Sequence, residues 1–247
     1  MTVNNGGDLR MLKIEHLTKR YGEKNAVKDL NLHICPGEIY GFIGHNGAGK
    51  TTTLKAVVGI LQFDEGEILI DGMSIKSAPL ACKKVLAYIP DNPDLYEYMT
   101  GIKYLNFIGD IFAVPADVRQ ERIRKYADLF ELTNDLAQPI AAYSHGMRQK
   151  LAIIAAWMHD PKLIIMDEPF VGLDPKAAHL LKGMMRDVCD RGGAIFFSTH
   201  VLEVAEKLCD KIAIIKGGEL IRSGTMEEVK GDDSLEEVFL ELEDKSC

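Results

Sequence analysis

The chain has 247 residues, 47% of them hydrophobic, so it is long enough to bury a sizeable core. Its formal net charge of −8 at pH 7 argues against a protein whose main task is to grip nucleic-acid phosphates, and we expect no nucleic-acid partner. Its five cysteines include no CxxC pair, and no segment reaches the roughly 18 apolar residues of a membrane span, so we expect a protein that stays in a reducing, aqueous compartment.

The N-terminal region predicts a tail followed by a small β layer. Residues 1–10 are polar, lack the apolar core of a signal peptide and are typical of a flexible tail. Apolar and polar residues then alternate in three short segments, which predicts half-exposed strands of an antiparallel layer beside an α/β core. The segments are LKIEHL after Met11, LNLHI from Leu30 to Ile34 and GEILIDG from Gly66 to Gly72.

The segment GHNGAGKTTTL, from Gly44 to Leu54, begins with the phosphate-binding pattern G-x-x-x-x-G-K-[ST]. It follows the apolar run EIYGFIG and precedes a helical apolar pattern, which is the strand, loop and helix order that the motif requires. Backbone N–H groups can then surround phosphate oxygens, with Lys50 reaching the β- and γ-phosphates and the Thr51 hydroxyl reaching Mg²⁺. The alternative is a glycine-rich turn that binds nothing. The predicted nucleotide-binding residues here are Gly44, His45, Asn46, Gly47, Ala48, Gly49, Lys50, Thr51 and Thr52.

The region from about 92 to 150 changes from strand to helix patterns and predicts an inserted helical subdomain. Two apolar stripes have helical spacing, and Thr100 is available to cap the first helix. Such stripes favour a buried core over a ligand platform. The stripes are Tyr104, Phe107, Ile108, Ile111 and Phe112, and then Ile123, Tyr126, Ala127 and Phe130.

From Pro161 onward, strands alternate with helices, which predicts a mostly parallel sheet with ligands at its carboxyl edge. The strand in KLIIMDEP ends in Asp167 and Glu168, whose side chains point to opposite sides. One acid can hold Mg²⁺ through water while the other deprotonates an attacking water, and the alternative is a pair of surface acids. A helix at about 233–244 is expected to dock through one apolar face, formed by Leu235, Val238, Phe239 and Leu242.

Seven motifs occur in an order that resembles the nucleotide-binding subunit of an ATP-binding cassette (ABC) transporter. They are Tyr21, GHNGAGKTT, YIPDN, YSHGMRQK, LIIMDEP, VGLDP and STH, and the resemblance extends from about Met11 to the end. It implies an α/β fold: a P-loop NTPase (RecA-like) core with a mostly parallel sheet, an N-terminal antiparallel β layer and an inserted helical subdomain. We expect a single domain over 11–247, with the ATP-binding core at about 11–91 and 151–230.

The resemblance also implies roles for single residues. Tyr21 matches the aromatic residue that stacks on adenine, with Val27 against the nucleoside. Asp174 matches the loop that crosses the dimer interface, and His200 matches the switch histidine that contacts the γ-phosphate and the catalytic acid Glu168. The signature segment, which closes over ATP bound to the other subunit, is matched by Ser144, His145, Gly146 and Met147.

Two positions depart from the family pattern. His145 stands where the family usually has glycine, which resembles a branch that serves two-component, export-type permeases. Asp91 stands where the family has glutamine; it can ligate Mg²⁺ but, when ionised, cannot donate a hydrogen bond. We interpret Asp91 as a metal-side or water-side ligand, with Asn92 available to supply the amide. The alternative is that this loop is mainly mechanical.

The resemblance implies an ATPase that uses ATP and Mg²⁺, with two subunits enclosing two ATP molecules. A homodimer is chemically sufficient, and a heterodimer is the alternative. The partner is an integral membrane permease, implied to be an exporter, which holds the chain at the cytoplasmic face of the membrane. Its contact is expected near Pro93 to Thr100, where Tyr96 and Tyr98 line a groove or simply pack. The alternative function is a soluble ABC ATPase that acts without a permease, such as an assembly factor.

Overall fold

The computed structural model describes residues 10–244. The predicted tail at 1–10, apart from Arg10, lies outside the described residues. The first part of the chain contains β1 (Leu12–Tyr21), β2 (Lys24–Ile34), β3 (Ile39–Ile43), α1 (Lys50–Val57), β4 (Glu65–Ile70), β5 (Met73–Ser74), α2 (Pro79–Val85) and β6 (Leu86–Ile89). The middle part contains α3 (Gly101–Ile111), α4 (Ala116–Leu129), two 3₁₀ turns (Thr133–Asp135 and Ile140–Ala142) and α5 (His145–Ala156). The last part contains β7 (Leu163–Asp167), α6 (Pro175–Asp190), β8 (Ala194–Thr199), α7 (Leu202–Leu208), β9 (Lys211–Lys216), β10 (Glu219–Thr225), α8 (Met226–Lys230) and α9 (Leu235–Asp244).

The N-terminal strands form the antiparallel layer that the sequence predicts. Its order is β2-β1-β4-β5, with Leu12 opposite both Ile34 and Ile70. These three side chains are fully buried on one face, because residues directly opposite each other in neighbouring strands point to the same side. The layer therefore presents one apolar face to the rest of the protein.

The second sheet has six strands in the order β10-β9-β3-β8-β7-β6. The strands from β9 to β6 are parallel, as predicted, and β10 pairs antiparallel with β9. The edge strand β10 was not predicted, because most of its residues are exposed or half-buried and the segment shows no apolar periodicity. The mostly parallel sheet with an antiparallel edge confirms the predicted fold class.

The core lies on both faces of this sheet. Ile39 and Ile43 of β3 belong to a cluster shared with the helices α3 to α6, whereas Tyr40 and Phe42 face α1 and the antiparallel layer. Because both faces of β3 are buried, the strand is apolar throughout rather than alternating. The loop that follows β3 is thereby fixed to a strand that is buried at every residue.

The helix α3 begins after Thr100, whose side chain accepts a hydrogen bond from the Lys103 amide at 3.4 Å. Its buried face differs from the prediction: Leu105 is fully buried, whereas Ile111 is 57% exposed. The difference arises at Gly109, where the Arg119 side chain lies so close that a Cβ would meet its Nε at 2.4 Å. Glycine thus allows close packing on a face that an apolar stripe does not reveal.

The other predicted helices agree better with the structure. In and after α4, Ile123, Ala127 and Phe130 are buried, and α9 docks through Leu235 and Val238 together with Phe239. None of the helices in the described part of the chain is both long and apolar enough to cross a membrane. The four cysteines within residues 10–244 are all free thiols.

Candidate nucleotide-binding and catalytic site

The glycine-rich loop joins β3 to α1, which begins at Lys50. Gly47 and Gly49 have φ values of 82° and 112°, a region that other residues rarely adopt. A Cβ at Gly44 would lie 2.5 Å from the Ile215 carbonyl oxygen, and one at Gly49 would lie 2.5 Å from the Ala26 carbonyl oxygen. The loop therefore needs glycine both for its backbone angles and for the close approach of neighbouring strands.

Lys50 places a cation at the end of this loop. Its side chain is 6% exposed, and its Nζ donates to the carbonyl oxygens of Gly44 and His45 at 2.5 and 3.2 Å. Glu168 lies 3.8 Å away. Burial lowers the pKa of Lys50, and the charges of Glu168 and Asp167 oppose that shift. The ammonium is held where an anionic ligand of the loop would meet it.

Asp167 closes β7 directly beside the loop. Its carboxylate accepts hydrogen bonds from the Thr51 hydroxyl, at 2.6 Å, and from the Ser198 hydroxyl. The residue is 2% exposed. Because β3, β8 and β7 are parallel neighbours, their carboxyl ends meet at one edge and bring these groups together.

Glu168 follows with a φ of 47°, an uncommon conformation for a residue other than glycine. Its amide donates to the Ser198 carbonyl oxygen at 3.2 Å. Its carboxylate lies 2.9 Å from Nδ1 of His200 and accepts a longer bond, 3.4 Å, from the His200 amide. The strained turn therefore directs Glu168 towards the end of β8, while Asp167 faces Thr51.

A cavity of about 360 Å³ opens over the loop. Tyr21 lines it with 54% of its surface exposed, and the Nζ of Lys19 lies 5.3 Å from the centre of its ring. Val27 is fully buried and does not line the cavity, whereas its neighbour Ala26 does, since adjacent residues of a strand point to opposite faces. The lining residues are Tyr21, Lys24, Asn25, Ala26, His45, Asn46, Gly47, Gly49, Lys50, Thr51, Thr52, Asp91, Asp167, Glu168 and Gly217.

The oxygen donors in this cavity suit Mg²⁺. Thr51, Asp167 and Asp91 all line it, and Mg²⁺ prefers such hard oxygen ligands. Among the described residues, no group of three or more His, Cys, Asp or Glu side chains could hold a metal ion. Mg²⁺ usually keeps several waters and binds one or two carboxylates together with substrate phosphates. The donor set therefore fits an ion that arrives with a nucleotide.

The signature segment lies away from this cavity. Ser144 caps α5, and its side chain accepts a hydrogen bond from the Met147 amide at 3.3 Å. His145 and Gly146 both pack on Gly172: a Cβ at Gly172 would lie 2.4 Å from the imidazole, and one at Gly146 would lie 2.8 Å from the Gly172 carbonyl oxygen. The four signature residues are not among those that line the cavity within the described chain.

Asp174 lies at the end of the same VGLDP loop and caps α6. Its side chain accepts from the Ala177 amide at 2.8 Å and pairs with Lys150 of α5 at 2.7 Å. The bond from Lys150, followed by that from Ala177, lowers the pKa of Asp174. The loop and the signature helix are thus joined by a charged pair.

Some residues of the site carry no sequence signal. Lys24, Asn25 and Ala26 line the cavity from the start of β2 without a motif. Gly217 also lines it and belongs to a Gly-Gly turn, in which a Cβ at Gly218 would lie 2.8 Å from the Ala26 carbonyl oxygen. Gln149 stands between Arg148 and Lys150 in the sequence, so no local pattern marks it as buried. It is fully buried, and its amide lies 3.4 Å from the Pro169 carbonyl oxygen, next to Glu168.

Comparison with known proteins identifies the family. A family model described as ABC transporter matches residues 27–171. The uncharacterized ABC transporter ATP-binding protein all4389 of Nostoc sp. is 38% identical over 208 residues, which span 83% of this chain and 62% of that relative. The Nod factor export ATP-binding protein I of Ralstonia nicotianae is 33% identical over 223 residues, spanning 90% of this chain and 70% of that relative. A solved ATP-binding subunit of an ABC transporter superposes with a TM-score of 0.91 at 33% identity, covering 94% of this chain and 99% of the other.

The family model matches more than half of the chain, and the fold and sequence similarity extend well beyond that segment. The loop and the two acids that the sequence singles out meet in one cavity at the carboxyl edge of the sheet, and the predicted histidine, His200, is not among its lining residues but contacts Glu168 at 2.9 Å. The chain belongs to the ABC transporter family, as an ATP-binding ATPase domain.

Proposed function

We propose that this chain hydrolyses ATP as the nucleotide-binding subunit of an ABC exporter and drives a separate membrane permease. The observation that carries the proposal is the convergence of Lys50, Asp167 and Glu168 on one cavity, with His200 at 2.9 Å from Glu168. This arrangement combines a cation for phosphate, oxygen donors for Mg²⁺ and a carboxylate for water. A site that only binds phosphate would not need a carboxylate that can activate water.

Different residues of the chain have separate roles in ATP binding and hydrolysis. The loop amides and Lys50 bind the β- and γ-phosphates, and Thr51 with Asp167 would hold Mg²⁺. Bound Mg²⁺ neutralises charge on the phosphate oxygens. Glu168 accepts the proton of the attacking water, and His200 orients that carboxylate and contacts the γ-phosphate. Tyr21 offers an exposed ring for the adenine base.

The position of the signature segment supports a site completed by a second copy. Ser144 is exposed at the N-terminus of a 12-residue helix, where backbone N–H groups and the helix dipole favour an anion. Because the described signature residues do not line the cavity of their own subunit, they are available to the γ-phosphate of a facing subunit. Asp174, next to it in space through Lys150, would then lie at the interface. One kind of chain carries both halves, so a homodimer suffices.

Two observations support an exporter. One relative is a Nod factor export ATP-binding protein, and His145 occupies the signature position that departs from glycine. The permease is proposed to dock beside α3, in a cavity of about 330 Å³ that Pro93, Leu95 and Tyr104 help to line. The ring of Tyr96 contacts that of Tyr98 and that of Tyr104, and Tyr104 lines this cavity. Through this contact the chain would sit at the cytoplasmic face of the membrane.

Tyr98 offers a direct test of the permease contact, because 79% of its surface is exposed. Replacing Tyr98 with Asp should lower, roughly tenfold or more, the amount of permease that co-purifies with the tagged chain from solubilised membranes, since it would bury an unpaired charge. ATP binding by the isolated chain should stay unchanged. Tyr98→Phe is the matched control, and mass spectrometry identifies the recovered membrane protein. Recovery of no multi-span protein with the wild-type chain would favour the permease-free alternative.

Asp91 is proposed to contact the magnesium or the attacking water. It is exposed and lines the same cavity as Thr51 and Asp167, which supports a contact between its carboxylate and a bound ion. Asn92 is exposed beside it but is not among the lining residues within the described chain, so its amide would need a rearrangement to take part.

In the assembled transporter, Asp91→Ala is expected to lower hydrolysis roughly tenfold and to raise the Mg²⁺ concentration needed for half-maximal rate. Asp91→Asn keeps the size and removes the charge, so it separates ligation from packing. Titration of the rate with Mg²⁺ checks both variants. Unchanged rate and Mg²⁺ dependence in Asp91→Ala would leave the mechanical interpretation of this loop standing instead.

A further inference from the structure

The C-terminal helix α9 contacts the phosphate-binding loop. The ring of Phe239 lies 5.0 Å from the imidazole of His45, at an interplanar angle of 61°. This edge-to-face arrangement is favourable for aromatic pairs. Phe239 is 8% exposed, and Leu235 and Val238 bury the same face of the helix. The contact therefore belongs to a packed interface and not to a loose surface encounter.

The loop at His45 separates two cavities. His45, Asn46 and Gly47 line the nucleotide cavity. The same three residues also line a second cavity of about 250 Å³, together with Phe239 and Leu242. The loop is consequently backed by open space rather than by dense packing. A side-chain contact that crosses this space can hold the loop in position.

The helix α9 is itself anchored at the other end of the site. It packs against α8 and against α7, which begins two residues after His200. Lys230, the last residue of α8, forms an ion pair with Glu206 of α7. A single helix thus contacts the loop expected to bind the phosphates and the segment that follows the histidine expected to contact the γ-phosphate.

We infer that Phe239 is a positioning residue for nucleotide binding, which holds the phosphate-binding loop in its binding conformation through His45. The inference rests on the proposed function, because it concerns ATP bound to that loop. It requires no contact between Phe239 and the nucleotide. Loss of the ring would let the loop move into the cavity behind it, and the loop amides would then meet the phosphates less well.

The first test compares Phe239→Ala with Leu240→Ala in the full chain. Leu240 is the next residue of the same helix but is 54% exposed, so it is the matched control. Phe239→Ala should raise the dissociation constant for ATP roughly 2- to 10-fold, the range for loss of an aromatic pair, and Leu240→Ala should leave it unchanged. At saturating ATP, the turnover number should be kept, so that the change appears in KM. Phe239→Tyr keeps the ring, so this variant should bind ATP with the affinity of the wild type.

A double-mutant cycle with His45→Ala distinguishes positioning from a loss of stability. If Phe239 acts through His45, adding Phe239→Ala to His45→Ala should cause no further loss of ATP affinity, because the contact is already absent. Additive losses would overturn the inference, as would equal ATP affinity in Phe239→Ala and the wild type. If the wild-type chain itself binds no ATP, the proposed function fails and the inference fails with it. If the wild-type chain binds ATP and Phe239→Ala binds it equally well, the proposed function stands and only the inference about Phe239 is wrong.

Discussion

Replacing Glu168 with Gln is expected to lower ATP turnover roughly 10²- to 10⁴-fold, the usual contribution of a positioned general base. Gln has nearly the same shape and can still hydrogen-bond His200, which lies 2.9 Å from the native carboxylate. It cannot accept the proton of the attacking water at neutral pH. ATP binding should persist, because Lys50, Thr51 and Asp167 are unchanged.

The measurement is Mg²⁺-dependent phosphate release by the purified chain, with the oligomeric state followed in the same samples. The Gln variant should accumulate as an ATP-bound dimer, since closure no longer ends in hydrolysis. Glu203→Gln, a change on the exposed face of α7, provides the control for an acid outside the cavity. Normal turnover in a Glu168→Gln protein that binds ATP as the wild type does would remove Glu168 from the role of base.

Much of this site could be predicted from the sequence, because its residues stand next to strand and helix patterns that are visible in a single sequence. The loop follows a fully buried strand and opens a helix, and both neighbours have recognisable patterns. Asp167 and Glu168 end another apolar strand, and parallel topology then requires that the two strand ends meet. Here the local pattern and the sheet topology point to the same arrangement.

Other features depend on packing between segments that are distant in sequence. The buried face of α3 was set by Gly109 beneath Arg119, and the fully buried position of Val27 followed from which side of β2 meets the core. The contact between His45 and Phe239 joins residues at opposite ends of the chain. A docked C-terminal helix was predictable from its apolar stripe, but the loop on which it docks was not.

The proposed site shared by two subunits leads to a second large expected effect, at Ser144. Aspartate caps a helix as well as serine does, so Ser144→Asp should keep the start of α5, which now depends on the bond from the Met147 amide. The new negative charge would face the γ-phosphate of the other subunit. We expect turnover to fall roughly 10²-fold or more, as when an electrostatic stabiliser of the transition state is lost, and ATP-driven dimerisation to disappear.

Ser144→Asn is the matched control, because it has the size of Asp and the same capping ability without the charge. ATP binding to the single subunit should be unchanged in both variants, since Ser144 does not line the cavity of its own chain within the described residues. The decisive comparison is therefore between ATP affinity and ATP-driven dimerisation, measured by calorimetry and by light scattering.

If Ser144→Asp weakened ATP binding by the monomer as strongly as it weakened dimerisation, the signature would act within its own subunit. A dimer that closes normally with Asp at this position would place the γ-phosphate elsewhere. If dimerisation alone is lost, each ATP is held by the loop of one chain and the signature helix of another, and hydrolysis then requires both.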